Sequence, residues 1–488
     1  MKTICEAAGK KRERPIRVVQ FGEGNFLRAF ADDMIDIANE KGVFDGSIAI
    51  VKPRPGSLER FEKQNCLYTV ILRGLERGKV INRRRIVTSV AAALGYYENT
   101  DAVMALARLG TLRFVVSNTT EAGIVLREDD HFDGVPESFP GKLAKFLYER
   151  YTAFGGAADK GLIVLPAELI ENNGKTLREY VLKLAAVWGL PAAFGLWVEN
   201  ACVFCNTLVD RIVTGYPAGE AGALGQTLGY TDELLTVGEP FGLWVIESEK
   251  DISGEFPLDQ AGLPVLFTND LTPYRTRKVR VLNGAHTASV PAAYLCGHSI
   301  VRACMHDEVM GRFIRLTVLR EIVPEVPLPR EETEAFAASV FERFENPFID
   351  HALLAISLNS VSKWKTRVLP SLLDSLRAGG RLPKLLTFSF AALLAFYTSD
   401  RLMADGLHAM RQDGEEYVIR DGADVLAFFA ANSTRDAADF VCAAAAREDF
   451  WGMDLTALPD FTDTVTRQYI ALRTDAAAAC RAVLEDRI

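Results

Sequence analysis

Apolar positions in this chain keep two different rhythms, and the change between them falls near residue 270. In the first half they come as short runs closed by Gly, Pro, Asn or Ser: residues 16–21, 47–51, 113–117, 161–165, 243–246 and 265–268. Runs of that length and boundary predict buried strands. Residues 66–72 and 79–81 predict the two arms of a hairpin, and 203–212 mixes strand-like residues with the adjacent pair Asp210 and Arg211. Between the runs, Phe26, Phe30, Met34 and Ile35 sit at helical spacing, as do residues 101–108. From residue 272 onward the pattern turns to Ala- and Leu-rich stretches of helical period, at 285–295, 308–322, 331–343, 353–359, 385–397, 423–431 and 467–484. The expectation is an α/β domain over 1–271 followed by an all-α domain over 272–488.

The first strand runs into Gly22-Glu23-Gly24 and then into a helix. Strand, glycine turn and helix in that order predict a Rossmann-like dinucleotide-binding domain. One glycine makes the tight turn, and the next lets a pyrophosphate approach the helix N-terminus. The third glycine position of that pattern is Leu27, and Arg28 is expected to offer a charge to a phosphate. At the end of the second strand, where an acid commonly accepts hydrogen bonds from a ribose, stand Lys52-Pro53-Arg54. That leaves NADP open beside NAD. The strand 113–117 ends at Ser117, Asn118, Thr119 and Glu121, and 161–165 leads to Glu168 and Asn173. Ligands of such sheets lie at the carboxyl ends of strands, so these polar residues are candidate cofactor or substrate contacts.

Just past the change of rhythm lie Lys278, Asn283 and His286, five and three positions apart. On an α-helix they would span an arc of about 140°, with Asn283 and His286 one turn apart. An ammonium, a carboxamide and an imidazole on one face suit proton transfer at a carbonyl. A core helix with a polar stripe has the same pattern.

Composition narrows the partners. A net charge of −9 argues against nucleic acid. An anionic substrate would need local cations, and two basic groups supply them: Arg275, Arg277 and Arg280, then Lys363, Lys365 and Arg367. No apolar run approaches the roughly 18 residues of a membrane span, and the first residues lack the apolar core of a signal peptide. A cytoplasmic protein with a small-molecule substrate is expected, either a monomer or a small homo-oligomer. Of eight cysteines only Cys202 and Cys205 are suggestively spaced. No second pair accompanies them, so buried thiols are expected and no metal is assigned.

The stretch 21–30, Phe-Gly-Glu-Gly-Asn-Phe-Leu-Arg-Ala-Phe, resembles the N-terminal fingerprint of the polyol-specific long-chain dehydrogenases, the mannitol dehydrogenase family. Lys278-x4-Asn283-x2-His286 is similar to that family's catalytic signature, and residues 117–124, 207–217, 282–288 and 363–367 support the likeness. It runs from about residue 16 to past 400. The resemblance implies NAD(P)-dependent interconversion of a ketose or keto-sugar acid with a polyol or aldonate, with NAD favoured. It implies cofactor contacts from Phe21, Gly22, Gly24, Asn25, Phe26, Ser117, Asn118, Thr119 and Asp210. Lys278 would be the general acid/base, with Asn283 and His286 positioning the reacting oxygen. Glu121, Glu168, Lys363 and Arg367 would meet the substrate. Two positions depart from the mannitol-acting members: Glu168-Leu169 replaces Asp-Asn, and Arg275 replaces an acid three positions before the lysine. Together with the basic groups, these departures favour a sugar acid over an uncharged polyol.

Overall fold

The computed structural model describes residues 1–488 except for the side chain of Glu121. The chain forms two compact units, Met1–Arg73 with Val80–Leu271, and Gly74–Lys79 with Thr272–Ile488.

The first unit is built on six parallel strands: β1 (Ile16–Phe21), β2 (Ser47–Lys52), β3 (Val90–Gly95), β4 (Phe114–Ser117), β5 (Ile163–Pro166) and β6 (Val203–Phe204). Their spatial order is β3-β2-β1-β4-β5-β6, that of a dinucleotide-binding sheet. The strands are mostly apolar because both faces are covered, with Arg17, Gln20, Ser47, Lys52 and Ser117 the exceptions. Val18, Ile48, Ile50, Phe114 and Val116 join one core with Phe30 and Met34. Their neighbours Val19, Ala49, Val51 and Val115 join a second core with Leu143, Phe146 and Val181. The strand order reverses between β1 and β4, which opens a crevice at their carboxyl ends.

Three smaller sheets complete this unit, the least of them pairing Lys2–Thr3 with Tyr230–Thr231. Of the other two, one orders Val213–Gly215, Thr236–Gly238, Tyr68–Glu76 and Lys79–Val87, and the second orders Asn206–Asp210, Leu243–Glu247 and Val265–Thr268. The hairpin arms are longer than the apolar pattern predicts. They turn at Arg77 and Gly78, both with positive φ (53° and 71°), as two-residue hairpin turns require. That tip belongs to the second unit, where the backbone N–H groups of Arg77 and Gly78 donate to the Glu342 carboxylate at 3.0 and 2.6 Å.

The second unit is assembled round the helix Lys384–Phe396, whose residues 385–396 are all buried. It packs against Gly284–Leu295 and Phe461–Thr474. A helix apolar on every side can sit only in a core. The unit is helical as expected, with one addition: Arg401–Met403, Gly406–Met410 and Glu416–Ile419 form a small antiparallel sheet. The stretch 467–484 is also two elements, because Asp475 is extended (φ −156°) and its carboxylate caps Ala476–Leu484 through the Ala478 N–H. Likewise Ser360–Arg367 is separate from Leu353–Ile356, parted by Asn359 at φ 54°. No described helix is long and apolar enough to cross a membrane.

Candidate active site

The glycine turn lies where the strand order reverses. The Gly22 N–H donates to the Val51 carbonyl at 3.0 Å, and the Asn118 N–H donates to the Phe21 carbonyl at 3.0 Å. Gly22 has φ +125°, and a Cβ there would stand 2.8 Å from the Asn118 carbonyl oxygen; no other residue fits. Gly24 has an ordinary φ of −66° and precedes the helical run that begins at Asn25. Nothing lies within 4 Å of where its Cβ would be. Open space in front of unpaired helix N–H groups fits a pyrophosphate. Leu27, at the third glycine position, is buried in the core beneath.

Arg28 does not offer its charge to a phosphate. It is buried, with Nε donating to the Glu23 carbonyl (3.2 Å), one Nη to Asn25 Oδ1 (2.7 Å) and the other to the Leu234 carbonyl. Its guanidinium braces the turn from behind and holds Asn25, which also accepts from Thr236 Oγ1 at 3.1 Å. The Phe21 ring is in the core against Tyr96, Phe139 and Phe146, so only its backbone borders the turn. Phe26 is half-buried and stacks on Phe30. Lys52 at the end of β2 is paired with Glu23 at 2.7 Å.

The polar ends of β4 and β5 satisfy each other. The buried Glu168 carboxylate accepts from Ser117 Oγ (3.0 Å), the Thr119 N–H (2.8 Å) and Thr119 Oγ1 (2.9 Å). Burial raises its pKa and those hydrogen bonds oppose the rise. Glu168 is therefore a clamp between two strand ends, not the substrate contact expected of it, and Ser117 and Thr119 have turned their hydroxyls inward to it. Asn118 remains half-buried. Asn173 is spent likewise. Its Nδ2 donates to the carbonyls of Pro166, Glu168 and Thr207, while its Oδ1 accepts from the N–H groups of Gly174 and Thr207. Asp210 is buried at the end of its strand, and Arg211 turns to Asp33 and the Ala29 carbonyl. The Glu121 side chain lies outside the described residues. Burial pushes the Cys202 and Cys205 thiols up to about 11 and about 12, which makes them inert at neutral pH. Among the described residues, no group of three or more His, Cys, Asp or Glu side chains could hold a metal ion.

In the second unit, Lys278–Asn283 is a π-helical segment between the α-helices Thr272–Arg277 and Gly284–Leu295. This changes the expected geometry. Residues five apart diverge on an α-helix, but in a π-turn they are hydrogen-bonded neighbours along the axis. Lys278 and Asn283 are thus stacked one π-turn apart, and His286 follows one α-turn on. All three are half-buried. The carboxamide of Asn283 makes no hydrogen bond to any described residue. The His286 ring lies 4.1 Å from that of Phe344 and 5.5 Å from that of His351.

The two basic groups have different fates. Arg277 is buried against Tyr274 and Phe336 and paired with Glu332, and Arg280 is paired with Asp374 at 2.7 Å. Both are structural and offer nothing to a substrate. Lys363 and Arg367, one turn apart on Ser360–Arg367, act on His286 instead. Burial, then His351, Arg343, Arg367 and Lys363, hold the His286 imidazole well below its usual pKa, so it is neutral at pH 7. Arg343 and His351 are members of this cluster that sequence spacing missed. Lys363 donates to the Ile356 carbonyl at 2.9 Å. Arg367 is half-buried, its pKa lowered by burial, and no described side chain or carbonyl pairs with its guanidinium. A desolvated cation without a partner is costly, and a carboxylate would relieve it. Lys365 lies on the other side of the helix, against Gly452.

Residues 16–260 match the mannitol dehydrogenase Rossmann domain, and 270–473 match the mannitol dehydrogenase C-terminal domain. Altronate oxidoreductase of Yersinia enterocolitica is 44% identical over 480 residues, 96% of each chain. Two solved structures share the fold. D-sorbitol dehydrogenase in substrate-free form has a TM-score of 0.79 at 21% identity, covering 98% of this chain and 100% of that one. Pseudomonas fluorescens mannitol 2-dehydrogenase, solved with NAD and D-mannitol, has a TM-score of 0.67 at 23% identity, covering 97% and 95%.

Proposed function

The chain belongs to the mannitol dehydrogenase family, and we propose that it is an NAD-dependent oxidoreductase interconverting D-tagaturonate and D-altronate. The altronate oxidoreductase relative supports this substrate pair. The observation that carries it is the cationic cluster of Lys363, Arg367 and Arg343 round a neutral His286, with Arg367 lacking a partner. An uncharged polyol has no use for it. A sugar acid brings the carboxylate that an arginine fork binds in two hydrogen bonds.

Gly22, Gly24 and the helix N-terminus behind them would hold the dinucleotide, which when bound would supply the hydride for the keto carbon in the reductive direction. Lys278 gives a proton to the oxygen as negative charge develops on it, and takes one back in the oxidative direction. Asn283 donates its amide N–H to the same oxygen, a contribution of about 2–4 kcal/mol to the barrier. His286, neutral, hydrogen-bonds a hydroxyl without adding a competing charge. Leu169, 60% exposed, cannot serve as the second carboxamide of mannitol-acting relatives, so Lys278 and Asn283 are the donors in this chain.

NADH oxidation followed with tagaturonate, fructuronate and fructose side by side tests this. Tagaturonate should lead in kcat/KM by about tenfold or more over fructuronate, and further over fructose. Equal turnover of fructose would overturn the carboxylate reading.

A further inference from the structure

The acid that dinucleotide folds place at the end of their second strand is missing here, since β2 ends at Lys52. Its place is filled from elsewhere. Glu23, the middle residue of the glycine turn, reaches across to Lys52, Oε1 to Nζ at 2.7 Å, with the two side chains 28% and 17% exposed. Beside Lys52 opens a cavity of about 510 Å³, lined by Gly56, Ser57, Glu59, Glu62, Gly95 and Glu98 among others. The link between them is close. A Cβ on Gly56 would stand 3.0 Å from Lys52 Cε, and the Gly56 N–H donates to Glu98 at 2.9 Å. Every ionisable residue lining that cavity is acidic.

We propose that Glu23, clamped on Lys52, takes over the ribose-binding role of the missing acid and makes this chain select NAD over NADP. The proposal rests on the dinucleotide reading above. A carboxylate in one hydrogen bond keeps lone pairs for a ribose hydroxyl. A 2′-phosphate, with close to two negative charges, meets a lysine already neutralised and, in the cavity beside it, the carboxylates of Glu62 and Glu98, Glu59 being paired with Lys63 at 2.7 Å. Arg54, two residues on, is exposed, and is the rival cation to be tested beside Lys52.

Binding is read without substrate, by fluorescence titration of NADH and NADPH onto the full chain, with thermal melts showing that each variant is folded. Wild type should bind NADH about tenfold or more tighter than NADPH, and Glu23→Gln should shrink that ratio by about tenfold, the worth of one charge-assisted hydrogen bond. Glu23→Asp, which keeps the charge, should keep most of the preference. Adding Lys52→Met to Glu23→Gln should abolish the gained NADPH binding, whereas Arg54→Ala should leave it. A Glu23→Gln ratio equal to that of wild type, or NADPH binding that depends on Arg54 rather than Lys52, overturns the proposal alone. Wild type that binds neither dinucleotide at millimolar concentration overturns the dinucleotide reading with it.

Discussion

The carbonyl oxygen of Arg367 lies 2.9 Å from the point where a Cβ on Gly284 would stand. The helix of Lys363 and Arg367 therefore meets the helix of Asn283 and His286 backbone to backbone, and only glycine permits the approach. Gly284→Ala should push the two apart, costing about 1–3 kcal/mol of stability and raising KM for the sugar acid. NADH affinity should not change. Denaturant melts and a KM series decide it, and an alanine variant matching wild type in both would show the contact to be slack.

Lys278→Met should lower kcat by about a thousandfold, the middle of the range for a general acid, while NADH titration stays within about twofold of wild type. Near-wild-type turnover would remove Lys278 from the mechanism.

Arg367→Ala and Lys363→Ala should each raise KM for tagaturonate by about 10–100-fold, as loss of a charge-assisted hydrogen bond implies. The small residual rate on fructose should barely move. If both substrates suffer alike, these residues shape the site without reading the carboxylate.

A pH effect should come from Asp32, buried between Gln20 and the Tyr68 hydroxyl (2.6 Å). Burial raises its pKa to about 7, against the pull of the Tyr68 and Gln20 hydrogen bonds, from 3.8 when unfolded. The folded state thus holds the proton more tightly. The stability from it is full below about pH 3.8 and is lost as pH rises through about 7. Asp32→Asn lacks this dependence, so its Tm relative to wild type should climb between pH 5 and pH 8. A constant difference across that range would show that Asp32 does not titrate there.

Much of the first unit could be read directly, because strands covered on both faces must be apolar and must end in residues that break them. The glycine turn and the Lys278–His286 spacing were readable for a similar reason: local chemistry demands those residues at those offsets. The π-turn was not, since nothing in six residues distinguishes a bond to the fourth residue from one to the fifth. Arg28 misled because sequence shows a charge but not the Leu234 carbonyl, 206 positions away, that absorbs it. Arg343 and His351 were hidden by the same blindness to distant partners. The strands at 401–419, of 3, 5 and 4 residues, are too short to leave a period.

The helix Lys384–Phe396 carries a consequence in time. It has no polar side to show water, yet one wall of its enclosure, Phe461–Thr474, is made only after the strands of 401–419 and the helices Ala423–Asn432 and Ala437–Ala445. At about 5–20 residues per second, the ribosome leaves that apolar rod unsheltered for several seconds. The second unit cannot close its core until that wall has emerged, so newborn chains should lean on chaperones there, and chains cut short before Phe461 should go to aggregates.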